Sequence, residues 1–410
     1  MKILHVVHGY PPSVGGSQWL AQNLSEQLAA RYHDDVTVFT TVAYNMEHFF
    51  SGEPAMPAGT ETLNGVTVRR FAVFNRLNRL RMLAAGVAYR LRLPYNDWLR
   101  TLYNGPIVFG MTQAIAESGA DVILALAFPL LHMYYALAGA RRAGIPLVFM
   151  GALHTADTWG YERDMIYRAI RRADAYVALS TFERDHLMAR GIRADKIYVI
   201  GGGVDAERFA RADGSQVRRQ YGWGDAPVVA IVSKQTARKR FDTLLAAMPR
   251  VWATRPGTHL LIAGATTPYS PQLRRIVAAL PPEQRAQVTL IDDLAEKEKP
   301  ALLAACDLFV LPSGHESFGI AFAEAWACAR PVVGADVGAI PSVISHGRDG
   351  LLVPYQDADA LARAILELLA DPRRRARMGE AGQKKTLENY TWDIMADRVR
   401  RVYVETIARR

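Results

Sequence analysis

Glu316 and Glu324 lie eight residues apart, on either side of the run Ser317-Phe318-Gly319-Ile320. An ionised carboxylate is an acceptor only and can take hydrogen bonds from two neighbouring hydroxyls. The residues ahead of them, Leu308-Phe309-Val310-Leu311, form an apolar run short enough for a buried strand. Pro312-Ser313-Gly314 breaks that run into a turn. A helix is predicted from near Phe318–Ile320 to about Ala329, with Pro331 stopping it before the next strand. The backbone N–H groups of Ser317, Phe318, Gly319 and Ile320 then stand at a helix N-terminus. There the first N–H groups lack partners and the helix dipole favours an anion. Gly319 has no side chain to hinder a close approach. The two glutamates are at most roughly 12 Å apart at about 1.5 Å per helical residue. Two hydroxyl-binding acids flanking an anion match the shape of a sugar, a diphosphate and a ribose joined in a row. A solvated helix face would account for either glutamate alone, but not for the Pro-Ser-Gly-His-Glu loop between strand and helix.

A second cluster, Ser233-Lys234-Gln235-Thr236-Ala237-Arg238-Lys239-Arg240, follows the apolar run Val228–Val232. Its cations fall at a strand's carboxyl end, as does the Glu316 loop. A diphosphate held between them would meet N–H groups on one side and ammonium groups on the other. Such cations would stabilise the charge that a leaving diphosphate gains. His154 lies just past Leu147–Met150, in Gly-Ala-Leu-His-Thr-Ala-Asp-Thr-Trp, where it would face a sugar, with Asp157 and Trp159 shaping an acceptor pocket. Gly15 and Gly16, in Gly9-Tyr10-Pro11-Pro12-Ser13-Val14-Gly15-Gly16, allow backbone to approach a ligand. Neither that loop nor Gly201-Gly202-Gly203 has the glycine spacing of a dinucleotide fingerprint. Asp357-Ala358-Asp359 reads as a helix cap rather than a metal site. No Cys/His zinc spacing and no Gly-x-Ser-x-Gly elbow occurs.

These loops require strands to carry them. Residues 1–200 offer strand candidates at Ile3–Val7, Val36–Thr40, Val66–Phe71, Val122–Leu126, Leu147–Met150, Ala175–Leu179 and Ile197–Ile200, with helical patterns between most of them. Residues 203–388 repeat the alternation from Val228–Val232 through Leu351–Val353. The fold class is therefore α/β, with two open sheets that bind ligands beyond their strands' carboxyl ends. Gly201 to Phe209 reads as the crossing between two domains, and an amphipathic helix from Thr391 to the end, residues 391–410, closes the chain.

The 410 residues suffice for roughly two to three domains. Cys306 and Cys328 are the only cysteines and fall in apolar surroundings, which suits reduced thiols in a cytoplasmic setting. The first apolar run is too short for a signal peptide. Val122–Ala140 approaches a membrane span in length, but Pro129 and His132 divide it into strand, loop and helix. The net charge of +9 is unevenly placed, with eight arginines between Arg69 and Arg100 and Asp97 as the sole acid among them. Leu80, Leu83, Val87, Leu91 and Trp98 accompany them, so the segment suits an anionic membrane surface, a solvated face or a patch for a phosphorylated acceptor. No nucleic-acid module is present, so a nucleic-acid partner is not expected.

Taken together, these motifs resemble the large retaining glycosyltransferase family 4, and the resemblance covers nearly the whole chain. Pro11-Pro12 with Gly15-Gly16 is similar to the family's N-terminal glycine loop, and Gly203-Val204-Asp205 with Phe209 to its interdomain segment. Pro312-Ser313, Glu316, Phe318, Gly319 and Glu324 match its Glu-x7-Glu motif. Ala325-Trp326-Ala327, Pro331-Val332-Val333 and Gly350–Val353 match its flanking consensus. The resemblance implies the GT-B fold of two Rossmann-like domains facing each other across a cleft, residues 1–200 on the acceptor side and 203–388 binding the donor, with the C-terminal helix crossing back to the first domain. It implies that Glu316 and the Phe318-Gly319-Ile320 backbone, with Ser317, hold the sugar and distal phosphate. Glu324 would take the ribose, Lys234 and Lys239 the diphosphate, and His154 would meet the sugar. Transfer would retain configuration by front-face attack, without a metal or other cofactor. The sequence departs from the family at Ser233-Lys234 (usually Gly-Arg), Arg240 and Ser317 (each usually Gly), and Ala339 and Ser342 (usually Gly and Glu). The expected activity is transfer from a nucleotide-diphospho-sugar to a carbohydrate or lipid-linked acceptor, in the cytoplasm or on the inner face of the membrane. A nucleotide-sugar epimerase on the same plan, or a non-catalytic sugar-nucleotide-binding protein, are the alternatives.

Overall fold

A computed structural model describes residues 1–13, 15–51, 55–154 and 157–410. Val14 of the glycine loop, and Thr155 and Ala156 beside His154, lie outside the described residues. The chain divides into two compact units, Met1–Gly201 with Trp392–Arg410, and Gly202–Thr391.

The first unit holds strands β1 (Lys2–Val6), β2 (Asp35–Thr41), β3 (Gly59–Leu63), β4 (Val66–Phe71), β5 (Val122–Leu126), β6 (Leu147–Met150), β7 (Ala175–Ala178) and β8 (Ile197–Val199). Their order is β3-β4-β2-β1-β5-β6-β7-β8. All pairs are parallel except β3 with β4. β5, β6 and β7 are buried along their whole length, as continuous apolar strands with helices on both faces must be. The β3–β4 hairpin is the one strand pairing that the hydrophobic pattern does not announce. β3 is polar and exposed, as an edge strand should be. Its turn is Asn64-Gly65, both with positive φ, at 49° and 82°.

The segment from Val122 onward is not a span. β5 ends at Leu126, Phe128-Pro129 is a cis bond in the loop, and a helix runs His132–Ala143. Among the described residues no helix is long and apolar enough to cross a membrane. The C-terminal helix Trp392–Ala408 belongs to the first unit. Its Tyr403 hydroxyl lies 3.0 Å from His5 Nε2 on β1, and Arg400 pairs with buried Asp34 at 2.9 Å.

The second unit has strands β9 (Val228–Val232), β10 (His259–Gly264), β11 (Val288–Asp292), β12 (Leu308–Leu311), β13 (Val332–Ala335) and β14 (Gly350–Val353). They form one parallel sheet in the order β11-β10-β9-β12-β13-β14. β9 and β12 are neighbours although β10 and β11 separate them in sequence, so the strand order reverses between them. Both cysteines are free and buried. Asp357 caps the helix Ala358–Ala370 through Ala360 N–H at 2.8 Å.

Candidate active site

Where the strand order of a parallel sheet reverses, the loops leaving the two strands' carboxyl ends diverge and open a crevice for ligands. In the second unit those loops are residues 233–240 after β9 and 312–319 after β12. They are tied together: the Gly314 N–H and the buried Ser313 hydroxyl both donate to the Arg238 carbonyl, each at 3.2 Å.

Across this tie, Lys239 Nζ donates to Glu316 Oε1 at 2.6 Å, each side chain 10% exposed. Burial alone would push the Glu316 carboxyl up. The Lys239 charge and hydrogen bond, helped by Ser313 and Arg238, outweigh it and hold the group below the ordinary carboxylate range. Glu316 is therefore a fixed acceptor at neutral pH. Lys234 and Arg238 are exposed and form no ion pair among the described residues. They are the loop's available cations, whereas the Lys239 ammonium already faces an acid.

The helix after this loop runs Ile320–Ala327. Gly319 precedes it with φ 85°, ψ 59°, a left-handed conformation that glycine reaches without steric cost. No side chain caps this end. Phe318 is buried, edge-on to Tyr390 with ring centroids 4.9 Å apart. Gly202 lies so close that a Cβ there would come within 2.6 Å of the Phe318 ring. The loop is thus wedged in place at a helix end that no side chain caps. Ser317 and Ile320 flank it, both half-buried.

Inside the helix, Glu324 Oε1 accepts from Lys299 Nζ at 2.9 Å, and Lys299 also reaches Glu296 at 2.9 Å. Burial raises the Glu324 carboxyl, and Lys299 offsets only part of that rise. Burial would lower Lys299, but Glu324 and Glu296 outweigh it and raise it instead. Each glutamate of the pair therefore comes with a lysine of its own. Arg240 has φ 57°, so the left-handed backbone survives where the family has glycine, and its guanidinium pairs with Asp242 at 2.9 Å.

In the first unit, Gly15 and Gly16 open the helix Gly16–Tyr32. A Cβ at Gly15 would strike Gln18 Oε1, whereas Gly16 has open space. His154 is half-buried on the loop after β6, edge-on to Tyr161 with centroids 5.6 Å apart.

The model of the glycosyl transferases group 1 matches residues 215–385, and that of glycosyltransferase family 4 matches residues 14–208. A GDP-mannose-dependent alpha-(1-6)-phosphatidylinositol monomannoside mannosyltransferase of Mycolicibacterium smegmatis is 32% identical over 67% of this chain and 72% of its own. This chain is a group 1, family 4 glycosyltransferase. It accordingly moves a sugar from an activated donor to an acceptor. An alpha-maltose-1-phosphate synthase of the same organism is also 32% identical, over 57% of this chain and 64% of its own. The solved structure of Anabaena Alr3699/HepE with UDP and glucose shares the GT-B fold at a TM-score of 0.74, with 20% identity over 99% of this chain and 100% of that one.

Several side chains in this glycosyltransferase carry roles other than those their sequence context suggests. Arg70 and Arg100, at the ends of the basic segment, are buried. Arg70 pairs with Glu61 at 2.7 Å and donates to the Tyr10 and Pro11 carbonyls, so it braces the glycine loop. Arg100 pairs with Asp97 at 2.8 Å and donates to the Trp159 carbonyl at 2.8 Å. Neither is available to a membrane, because each is consumed by carbonyls and a carboxylate. The Asp157 carboxylate caps the turn Thr158–Tyr161 through Gly160 N–H at 2.9 Å. The Trp159 ring is likewise taken up, edge-on to Tyr89 at 4.7 Å.

Two residues were not singled out from the sequence. Lys299 begins a helix remote in sequence from Glu324. Glu183 is buried and accepts from Leu153 N–H at 3.0 Å, Leu179 N–H at 2.9 Å and the Tyr176 hydroxyl at 2.6 Å, fixing the loop that carries His154. Burial raises its carboxyl despite those donors. The signal for it was Ser180-Thr181-Phe182-Glu183, a capping-box pattern whose serine accepts from Glu183 N–H at 3.2 Å.

Proposed function

We propose that this enzyme transfers a sugar from a nucleotide-diphospho-sugar to a hydroxyl of a carbohydrate or lipid-linked acceptor, with retention and without a metal or other cofactor. The Lys239–Glu316 pair, set beside an uncapped helix N-terminus where the strand order reverses, carries this reading. Glu316, kept ionised, accepts hydrogen bonds from the sugar hydroxyls, and Glu324 from the ribose. The N–H groups from Ser317 to Ile320, with Lys234 and Arg238, receive the diphosphate. Lys239 orients Glu316 and adds its charge as the phosphate bond to the sugar breaks, when the leaving group's charge is greatest. The family resemblance supports same-face attack, His154 against the sugar, and Gly15–Gly16 close to the reacting groups.

The name of the mannosyltransferase relative makes GDP-mannose the first donor to try. The relatives' names, phosphatidylinositol monomannoside and maltose-1-phosphate, make a phosphate-bearing sugar the leading acceptor class. The helix Asn78–Arg90 supports work at an anionic membrane surface. Leu80, Leu83 and Val87 on it and Leu91 just after it are 60%, 62%, 43% and 66% exposed at helical spacing, with Arg79, Arg90 and Arg92 beside them.

The test is release of nucleoside diphosphate from a donor panel, with and without lipid extract, together with the anomeric configuration of the product. Acceptor-dependent release and a retained anomer are expected, and Glu316→Ala should abolish release with circular dichroism unchanged. Turnover without acceptor to an isomerised donor would indicate epimerisation. Nucleotide binding with no release from any donor would reduce the chain to a binding protein.

A further inference from the structure

A basin of about 1180 Å³ opens in the first unit, between the segment from Tyr89 to Arg100 and the helix Asp164–Arg172. Arg90, Arg92, Arg168, Arg171 and Arg190 reach it from these two walls and from the neighbouring loop, and all five are exposed. Among the described residues Arg90, Arg92, Arg171 and Arg190 make no ion pair, and Arg168 approaches Asp164 only at 3.9 Å. Three acids also line the basin, Asp97, Glu162 and Asp164, but Asp97 is already bound to Arg100. Arg171 donates to the Arg190 carbonyl at 2.9 Å, and Arg190 meets His186 at 3.2 Å and lies over the Tyr167 ring. The balance is a concave surface with guanidinium groups in excess, of which Arg90, Arg92 and Arg168 are best placed to grip a phosphate with two parallel N–H donors.

The rim and the adjoining space are apolar. Leu93, Tyr95 and Trp98 border the basin and are 42%, 79% and 45% exposed. A second cavity of about 400 Å³ shares Trp98 and Arg168 with the first. Its other walls include Tyr134, Leu137, Met165 and Ala169, with Arg141 and Arg172 beside them. A soluble phosphate would engage the arginines but leave this apolar space unused. A neutral lipid would do the reverse. A phospholipid whose headgroup is a phosphate uses both.

We propose that the basin is a headgroup site for an anionic phospholipid, with the adjoining cavity taking part of an acyl chain. The site rests on the membrane attachment proposed above and adds a specific recognition element to it. It is separate from the nucleotide loops, which belong to the second unit.

Co-sedimentation with three vesicle types tests this: phosphatidylcholine alone, phosphatidylcholine with phosphatidic acid, and phosphatidylcholine with oleate to the same surface charge. The wild-type enzyme should prefer phosphatidic acid to oleate. Arg92→Ser with Arg168→Ser, one residue from each wall, should weaken phosphatidic-acid binding about thirtyfold, for roughly 1 kcal/mol per arginine. That variant should also lose the preference. Arg76→Ser with Arg79→Ser removes equal charge outside the basin and should keep the preference. Equal capture of the wild type by both anionic vesicles overturns the headgroup site while leaving membrane attachment standing. Retention of the preference by the Arg92/Arg168 variant overturns it as well. Capture by no vesicle rejects the attachment itself. Displacement from phosphatidic-acid vesicles by free glycerol phosphate, or by an RNA oligonucleotide at equal phosphate, would assign the basin to that soluble ligand instead.

Discussion

Lys239→Met keeps the length of the side chain and removes only its ammonium, which leaves Glu316 buried without its cation. The wild-type carboxyl lies below its ordinary value because Lys239 outweighs burial. It therefore contributes stability above the unfolded carboxylate range, near pH 4.3, and that contribution is lost as pH falls through the folded value. Without Lys239 the burial remains and the folded value moves above the unfolded one. The sign then reverses, and the variant loses stability as pH rises through the carboxylate range. At neutral pH the cost of an unpaired buried carboxylate is about 3–5 kcal/mol. At about pH 4 the carboxyl binds a proton, and the cost falls toward that of one hydrogen bond, about 1 kcal/mol. Lys239→Met with Glu316→Gln removes both charges and should recover much of the neutral-pH loss. Urea unfolding followed by hydrogen exchange on the strands of the second unit would measure each variant across this range. An equal loss at about pH 4 and about pH 8 would refute the electrostatic account. A double variant less stable than Lys239→Met alone would do the same.

Lys299→Met should act on Glu324 in the same sense, lifting a carboxyl that burial has already raised. Nucleoside diphosphate affinity should then fall more at pH 6 than at pH 8, because a raised carboxyl is protonated from the acid side first. Calorimetry at both values checks this, and an equal loss at both removes Lys299 from that role. Arg70→Ala should destabilise the first unit by about 1–2 kcal/mol, because it strips the Pro11 carbonyl of its Arg70 donor and leaves the Tyr10 carbonyl with the Ser13 N–H alone. It should slow transfer while leaving nucleotide affinity in the second unit unchanged. A first unit of wild-type stability would show that the glycine loop does not need this brace.

The strands were legible because β5, β6, β7, β9 and β12 are short apolar runs that only a sheet covered on both faces can bury. The position of the loops that carry Lys239 and Glu316 was legible for the same reason, since glycines and charges following such runs must stand at strand ends. The pairing of charges was not. Loop position places Lys234 and Lys239 near one another, but whether an ammonium points at an acid or at open space depends on how two loops are pinned. Here the pin is the Arg238 carbonyl, which accepts from Ser313 and Gly314 more than seventy residues away in the chain. Arginine-rich segments pose the same difficulty more sharply. The pattern from Arg69 to Arg100 reads as a solvated or membrane-facing surface, because leaving a cation unpaired in a core is costly. Arg70 and Arg100 escape that cost by pairing with Glu61 and Asp97 and by gathering loop carbonyls, which carry no charge and hence no sequence signal. The hairpin turn was a signal passed over: Asn64-Gly65 is what a tight two-residue turn demands, although its strand β3 is too polar to declare itself. Hydrophobic order thus fixes where the loops leave the sheet, and hydrogen bonds between residues distant in sequence decide which charges remain free to meet a ligand. In this glycosyltransferase Lys234 and Arg238 on the loop after β9 form no ion pair among the described residues, whereas Lys239, Arg70 and Arg100 are taken up by acids.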